Sequence, residues 1–175
     1  MSVAAGVDMD VNATDVADTR WEERLAERFR QIQDERMRDV PLLNPALNVE
    51  TVGFTDTTAG RLGVLITPWF MNLILKPQGD ADPLGMGETV TRAFAAGALP
   101  FTGSDDETVG SFEICSLFSP MFDFADQASA RDMASSVLQA LLHPEPEKPV
   151  LEREVDRRAF LRGGFLREGS ESAGR

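Results

Sequence analysis

Residues able to act as nucleophiles, bases or metal ligands are scarce in this chain of 175 residues, which holds one cysteine, Cys115, and one histidine, His143. A single cysteine rules out a disulfide framework, and with one histidine beside it the chain lacks the ligands for a zinc site, a haem ligation pair or an iron-sulfur quartet. The sequence therefore brings no metal of its own, and no cofactor is expected. Cys115 has no basic neighbour in sequence to lower its pKa and lies in a strand-like stretch, so it reads as a buried, inert thiol. His143 follows the last leucines of a helical pattern and precedes Pro144, the place where a helix dipole favours an imidazole. Asp123 and Asp126 stand three apart at a helix start, where capping is the ordinary use. Phosphate-cradling loops are absent: "GVLITPWFMN" has no GxxxxGK followed by Ser or Thr, and "LGMG" lacks the flanking strand and helix of a dinucleotide fingerprint. Nothing assembles an acid, a base and a nucleophile, so the chain is expected not to be an enzyme.

Binding chemistry is better represented. "TPWFMNLILKP" and "CSLFSPMFDFADQ" are the densest apolar sequences, and each sets bulky side chains around a proline. Leu73, Leu75, Leu117 and Phe124 read as core, since aromatic and aliphatic side chains at strand positions are usually buried. A period of two turns half of each run outward, and Pro68 and Pro120 place parts of both in loops. Trp69, Phe70, Met71, Phe118, Met121 and Phe122 are therefore candidates to line a partly exposed apolar groove that receives a peptide. Asn72, Ser119, Asp123 and Asp126 lie among them and complete the candidate partner-binding set.

A second feature lies near the end of the sequence. "DRRAFLRGGF", residues 156–165, has the pattern of a twin-arginine export signal: a polar residue, Arg-Arg, any residue, Phe-Leu and a basic residue. The apolar run and cleavage site that make such a signal work do not follow, because "REGSESAGR" comes next. The net charge of -12 is uneven. Residues 40–145 carry thirteen acidic and four basic side chains, whereas 157–167 hold Arg157, Arg158, Arg162 and Arg167 and no acid. An acidic body argues against nucleic acid and anionic membrane as partners and suits a basic one. No stretch reaches the roughly 18 apolar residues of a transmembrane helix, and "MSVAAGVDMDVNATDVADTR" lacks a basic start. The expected location is the cytoplasm.

The elements that must position these residues follow from periodicity. Residues 1–17 are small, polar and acidic and are expected to be disordered. In "DTRWEERLAERFRQIQDERMRDV", Asp18 or Thr19 is a candidate N-cap. Glu22 has capping-box spacing from Thr19, and Trp21, Leu25, Phe29 and Ile32 share one helical face. "PLLNPALN" is a loop, with two prolines barring regular structure. Residues 49–55, 61–67, 70–77, 88–94, 99–104 and 110–118 read as strands, the first three in a meander, with "SDDET" as a hairpin tip. A helical period returns with Ala130, Met133, Ala134, Val137, Leu138, Leu141 and Leu142, capped by Asp126 or Asp123 and stopped at Pro144. The expected architecture is an α+β domain over residues 18–144. It has an antiparallel sheet of about five or six strands packed with an N-terminal and a C-terminal helix. Residues 145–175 are expected to form a flexible tail bearing the twin-arginine-like motif.

At these same stretches the chain resembles the nickel-iron hydrogenase assembly chaperones of the HybE/HupJ type. The resemblance rests on "NPAL" (44–47), "VGF" (52–54), "LGVLITPWFMNLILKP" (62–77) and "CSLFSPMFDFADQASAR" (115–131), in this order. It implies a cytoplasmic accessory protein that attends the precursor of the hydrogenase small subunit. That precursor carries a twin-arginine signal and must not be exported before its clusters are in and the large subunit has joined. Some relatives of this kind carry a fused rubredoxin with paired CxxC motifs; this chain has no CxxC, so that feature does not carry over.

An acidic, aromatic groove would complement two guanidinium groups and a Phe-Leu pair. Arg157, Arg158, Phe160 and Leu161 then read as a mimic of the client signal, able to occupy the same groove in cis or on a neighbouring molecule. Two rival readings make other demands. A maturation enzyme or small-molecule binder requires a concave polar pocket with perturbed titratable groups. An adaptor that joins maturation proteins without touching a signal requires a flat apolar patch and no acidic rim.

Overall fold

The computed structural model describes residues 11–78 and 83–144. Its elements run α1 (Val11–Ile32), a π-helical turn (Gln33–Met37), β1 (Glu50–Thr57), β2 (Gly60–Ile66), β3 (Met71–Lys76), β4 (Thr89–Phe94), β5 (Gly97–Asp106), β6 (Gly110–Phe118) and α2 (Gln127–Leu142). The expected α+β class, with an antiparallel sheet and a helix from each end of the sequence, is what forms. The 145–175 tail and its arginine motif lie outside the described residues.

All strand pairs are antiparallel, in the order β1-β2-β3-β6-β5-β4. The first three strands form the expected meander. The chain then crosses to the far edge, and β4, β5 and β6 return inward so that β6 pairs with β3, Leu73 opposite Cys115 and Ile74 opposite Ile114. The sheet is thus two meanders joined along a central β3–β6 pair.

The helices cover opposite faces. On one, Trp21, Leu25 and Ala26 of α1 pack with Val49, Leu65, Ile74, Val109 and Phe112. On the other, Ala130, Ala134, Val137, Leu138 and Leu141 of α2 pack with Leu62, Val64, Ile66, Met71, Leu73, Leu75 and Cys115. Central strands sandwiched this way have no outward side, so β2 is buried throughout and β3 is buried from Met71 to Leu75. The expectation that alternation would turn half of "FMNLILKP" outward fails from Met71 to Leu75 for this reason, while Phe70 stays half-buried.

Polar contacts set the position of α1. The Trp21 indole N–H donates to the Val109 carbonyl at 3.0 Å. Lys76 Nζ meets Asp18 at 2.8 Å and Arg61 meets Glu22 at 2.7 Å. The helix starts earlier than expected: α1 begins at Val11, so residues 11–17 are helical and Asp18 and Glu22, instead of capping, are ion-pair partners of the sheet, while residues 1–10 lie outside the described residues. Two glycines permit close approach. Gly63 lies under the Phe54 ring, where a Cβ would come within 2.3 Å of it. Gly53, at φ +65° in the bulge of β1, leaves room for Leu138 of α2.

On the α2 face, Glu113 is 1 % exposed and is held by Arg92, which reaches it from β4 with two guanidinium nitrogens. Gly103, paired with Glu113 on β5, has no side chain and so makes space for the backbone of Leu84 and Gly85. α2 starts as expected at Asp126, whose carboxylate accepts from the Ser129 N–H at 2.8 Å while the Ser129 hydroxyl answers the Asp126 N–H. It ends at His143, whose N–H reaches the Gln139 carbonyl. No helix among the described residues is long and apolar enough to cross a membrane.

Candidate partner-binding site

The two dense apolar stretches meet at one end of the β3–β6 pair, where one turn enters β3 and one loop leaves β6. The turn is Thr67-Pro68-Trp69-Phe70. Thr67 is fully buried and locks it: its N–H donates to the Phe70 carbonyl at 2.8 Å, and its hydroxyl oxygen accepts from the N–H of Phe70 at 2.9 Å and of Trp69 at 3.3 Å. A turn held so tightly leaves Trp69 half-buried at the corner. Its ring meets the edge of Phe70 at 5.5 Å, and Phe70 meets Phe29 of α1 at 5.7 Å, so three aromatic rings run from the turn to the end of α1.

The loop begins at a register shift in β6, where Met71 pairs with Phe118 but Asn72 pairs with Ser116, leaving Leu117 as the extra residue of a bulge. The Ser119–Pro120 peptide is cis. The Ser119 hydroxyl donates to the Trp69 carbonyl at 3.3 Å, and Phe118 packs edge-on against Phe124 at 5.2 Å.

Asn44 holds turn and loop together. Its backbone N–H donates to the Pro68 carbonyl at 2.8 Å, and its side-chain amide donates to the carbonyls of Met121 and Phe124 at 2.9 and 2.8 Å. Its Oδ1 accepts from the Ala46 N–H at 3.0 Å, so a buried polar side chain is fully used. The sequence singled out "NPAL" only as part of a resemblance and placed it in a loop. An Asn-Pro pair between strong elements was the available signal, but its partners are 77 and 80 residues away.

The structure divides the sequence-predicted residues. Phe122 is 55 % exposed, Ser119 and Asp123 are exposed, and Trp69, Phe70 and Phe118 are half-buried. Met71 and Met121 are 0 % exposed and belong to the α2-side core, so they support the surface from beneath and do not line it. Asp126 is exposed but committed. The Ser129 N–H, the Ser129 hydroxyl and the Ala128 N–H together lower its pKa, opposed by slight desolvation, which keeps it charged as the cap of α2. Asp123 makes no ion pair or hydrogen bond among the described residues and is the acid left available at this surface. Beyond Phe29, Asp34 and Glu35 of the π-helical turn are exposed. Leu42, 49 % exposed, precedes Asn44 by two residues and is an exposed apolar side chain that sequence reasoning did not single out.

Asn72 behaves differently from its neighbours. It is 8 % exposed, and its Oδ1 is buried with no hydrogen-bond partner among the described residues. It stands between Leu65 of β2, fully covered by α1, and Ser116 of β6, which is exposed. Asn72 thus carries an unsatisfied, desolvated acceptor at the margin of the face that α1 covers. Catalytic chemistry has no comparable constellation: Cys115 is buried, His143 is exposed at the far end of α2, and no group of three or more His, Cys, Asp or Glu able to hold a metal occurs among the described residues.

Comparison with known proteins gives one answer. The family described as NiFe-hydrogenase assembly, chaperone, HybE matches residues 20–163. The hydrogenase expression/formation protein HupJ of Bradyrhizobium diazoefficiens is 42% identical over 149 residues, covering 82% of this chain and 88% of that protein. Protein HoxT of Cupriavidus necator is 44% identical over 161 residues, covering 83% and 89%. The chain is 40% identical over 142 residues to the probable rubredoxin HupJ of Rhodobacter capsulatus, matching 80% of this chain and 49% of that protein. The solution structure of HybE from Escherichia coli shares the fold, with a TM-score of 0.60 at 21% identity over 87% of this chain and 91% of that one. With a family match that takes in most of its length and relatives above 40% identity on either side of it, this chain belongs to the nickel-iron hydrogenase assembly chaperones of the HybE family.

Proposed function

We propose that the chain is a cytoplasmic chaperone of nickel-iron hydrogenase maturation that holds the small-subunit precursor by its twin-arginine signal, preventing premature assembly or export. Membership of the family supplies hydrogenase maturation; the signal and the subunit are our reading. It is carried by the way Asn44 brings the Trp69 turn and the Phe122 loop onto one surface, where half-buried and exposed aromatic rings lie beside Asp123, unpaired among the described residues. Such a surface offers apolar burial for the Phe-Leu pair of a signal and carboxylates for its guanidinium groups. The body charge adds attraction for a basic segment at a distance.

The test is a titration of a synthetic leader peptide bearing the Arg-Arg-x-Phe-Leu motif against its Lys-Lys variant, at low and high salt. Specific binding that weakens with Lys-Lys, with salt and with Phe122→Ala is expected. Lys preserves charge but loses the bidentate fork, so a loss of about tenfold, equal to about 1.4 kcal/mol, is the expected scale. Equal binding of both peptides, or none, would refute recognition of the signal and leave an adaptor that grips the client's folded body.

A further inference from the structure

The surface described above is unfinished in one respect: Phe122 is more than half exposed, Trp69 and Phe118 are only half-buried, and Asp123 is unpaired among the described residues. We propose that its resident occupant is the chain's own segment Arg157–Leu161, bound in cis at the place where a client signal binds. The inference rests on the reading that this surface takes twin-arginine signals, and it adds that the protein carries a built-in competitor for them.

Four observations point the same way. The segment has the chemistry of the ligand: Arg157 and Arg158 followed, after Ala159, by Phe160 and Leu161. The family match does not stop where α2 does but runs to residue 163, taking in both arginines and the Phe-Leu pair. Charge is complementary, since residues 157–167 carry four arginines and no acid while the body is strongly acidic.

The reach is also right. α2 has 16 residues and begins beside the Phe122 loop, so its end lies about 24 Å from that surface at 1.5 Å per residue. The dozen or so residues between Pro144 and Arg157 extend to at most about 40 Å, enough to return along the helix and deliver the arginines to its N-terminal end. A tether of this length that spans its site gives an effective concentration of about 1 mM. A segment with a Kd of about 100 µM would then be in place about nine-tenths of the time and would lower a competing leader's affinity about tenfold.

The experiment uses the full chain with a nitroxide on Gly163→Cys, just beyond the motif; Cys115 is buried and does not compete for the label. Paramagnetic broadening of the Trp69 indole N–H and of the amides of residues 119–124 is the readout. Strong broadening is expected in the parent, with most of it lost when Arg157→Gln and Arg158→Gln are introduced. Equal broadening in both proteins would reduce the effect to tethering alone and overturn the proposal. So would broadening seen only between labelled and unlabelled copies in a mixture, which would place the segment on a neighbouring molecule.

Added leader peptide separates this proposal from the reading it rests on. Displacement of the segment by leader, with leader affinity about tenfold higher in the double glutamine variant, supports both. Broadening that excess bound leader leaves intact would refute the shared site. Failure of leader to bind any variant would strike the signal-recognition reading, while the broadening result would still decide whether the segment docks.

Discussion

Asn44 and Phe124 are 80 residues apart in sequence and joined by one hydrogen bond of 2.8 Å, from the side-chain amide to the carbonyl. With its companion bond to Met121 and the backbone bond to Pro68, this contact decides where the Phe122 loop lies relative to the Trp69 turn. Asn44→Ala removes two donors from carbonyls in a covered site, so a loss of about 2–4 kcal/mol in urea unfolding is expected. Asn44→Asp should be worse, because a carboxylate would face two carbonyl oxygens. Binding of a leader peptide should fall in both, even at temperatures where the variants remain folded.

Asn72 should show the opposite trade. Its buried Oδ1 lacks a partner among the described residues, so Asn72→Leu exchanges a desolvated polar group for an apolar one among Leu65, Phe70 and Ile74. Stability should rise by about 1 kcal/mol by denaturation, and peptide affinity should fall. A variant that gains stability and binds unchanged would remove Asn72 from the site.

Arg92 and Glu113 offer a test of the far half of the sheet. Arg92→Met leaves a carboxylate 1 % exposed without its counterion and should cost about 3–5 kcal/mol. Arg92→Met with Glu113→Leu should recover most of that loss, since the price of the single change is the stranded charge. A double-mutant cycle by chemical denaturation measures the coupling.

Acid should destabilise the protein through Asp106 and Glu50. Burial alone would raise both pKa values. For Asp106 the hydrogen bonds from Arg28 and from the N–H groups of Thr108 and Val109 outweigh it, and for Glu50 those from Arg131 and Gln127 do so; both groups are lowered overall. A group whose folded pKa is depressed contributes its stability above its unfolded value and loses it as pH falls through the folded one. The unfolding midpoint should therefore be flat from neutral pH down to about pH 5 and decline below about pH 4. Asp106→Asn and Glu50→Gln together should flatten that decline.

Local elements were largely legible in the sequence and their assembly was not. The six strands and the Asp126 start of α2 follow from period, turn residues and a capping box, all of which are short-range signals. The pairing of β3 with β6 joins residues 38 to 47 apart in sequence, and no local pattern distinguishes it from a continued meander. Among the candidate residues, the expected exposure of Met71 failed for a related reason. Reading Met71 as outward assumed a sheet with a free face, whereas helices on both faces remove that freedom. Phe122 and Asp123, in a loop after a proline, escaped this constraint and are exposed.

The joined-meander topology has a bearing on when the protein becomes competent. The Trp69 turn leads into β3 and the Phe122 loop leads out of β6, so the two halves of the candidate surface belong to different meanders of the sheet. Neither half-chain can display the pair of apolar corners in register. On the proposed reading, capture of a client is conditional on completed folding, and a nascent or broken copy would have no grip with which to sequester a precursor unproductively.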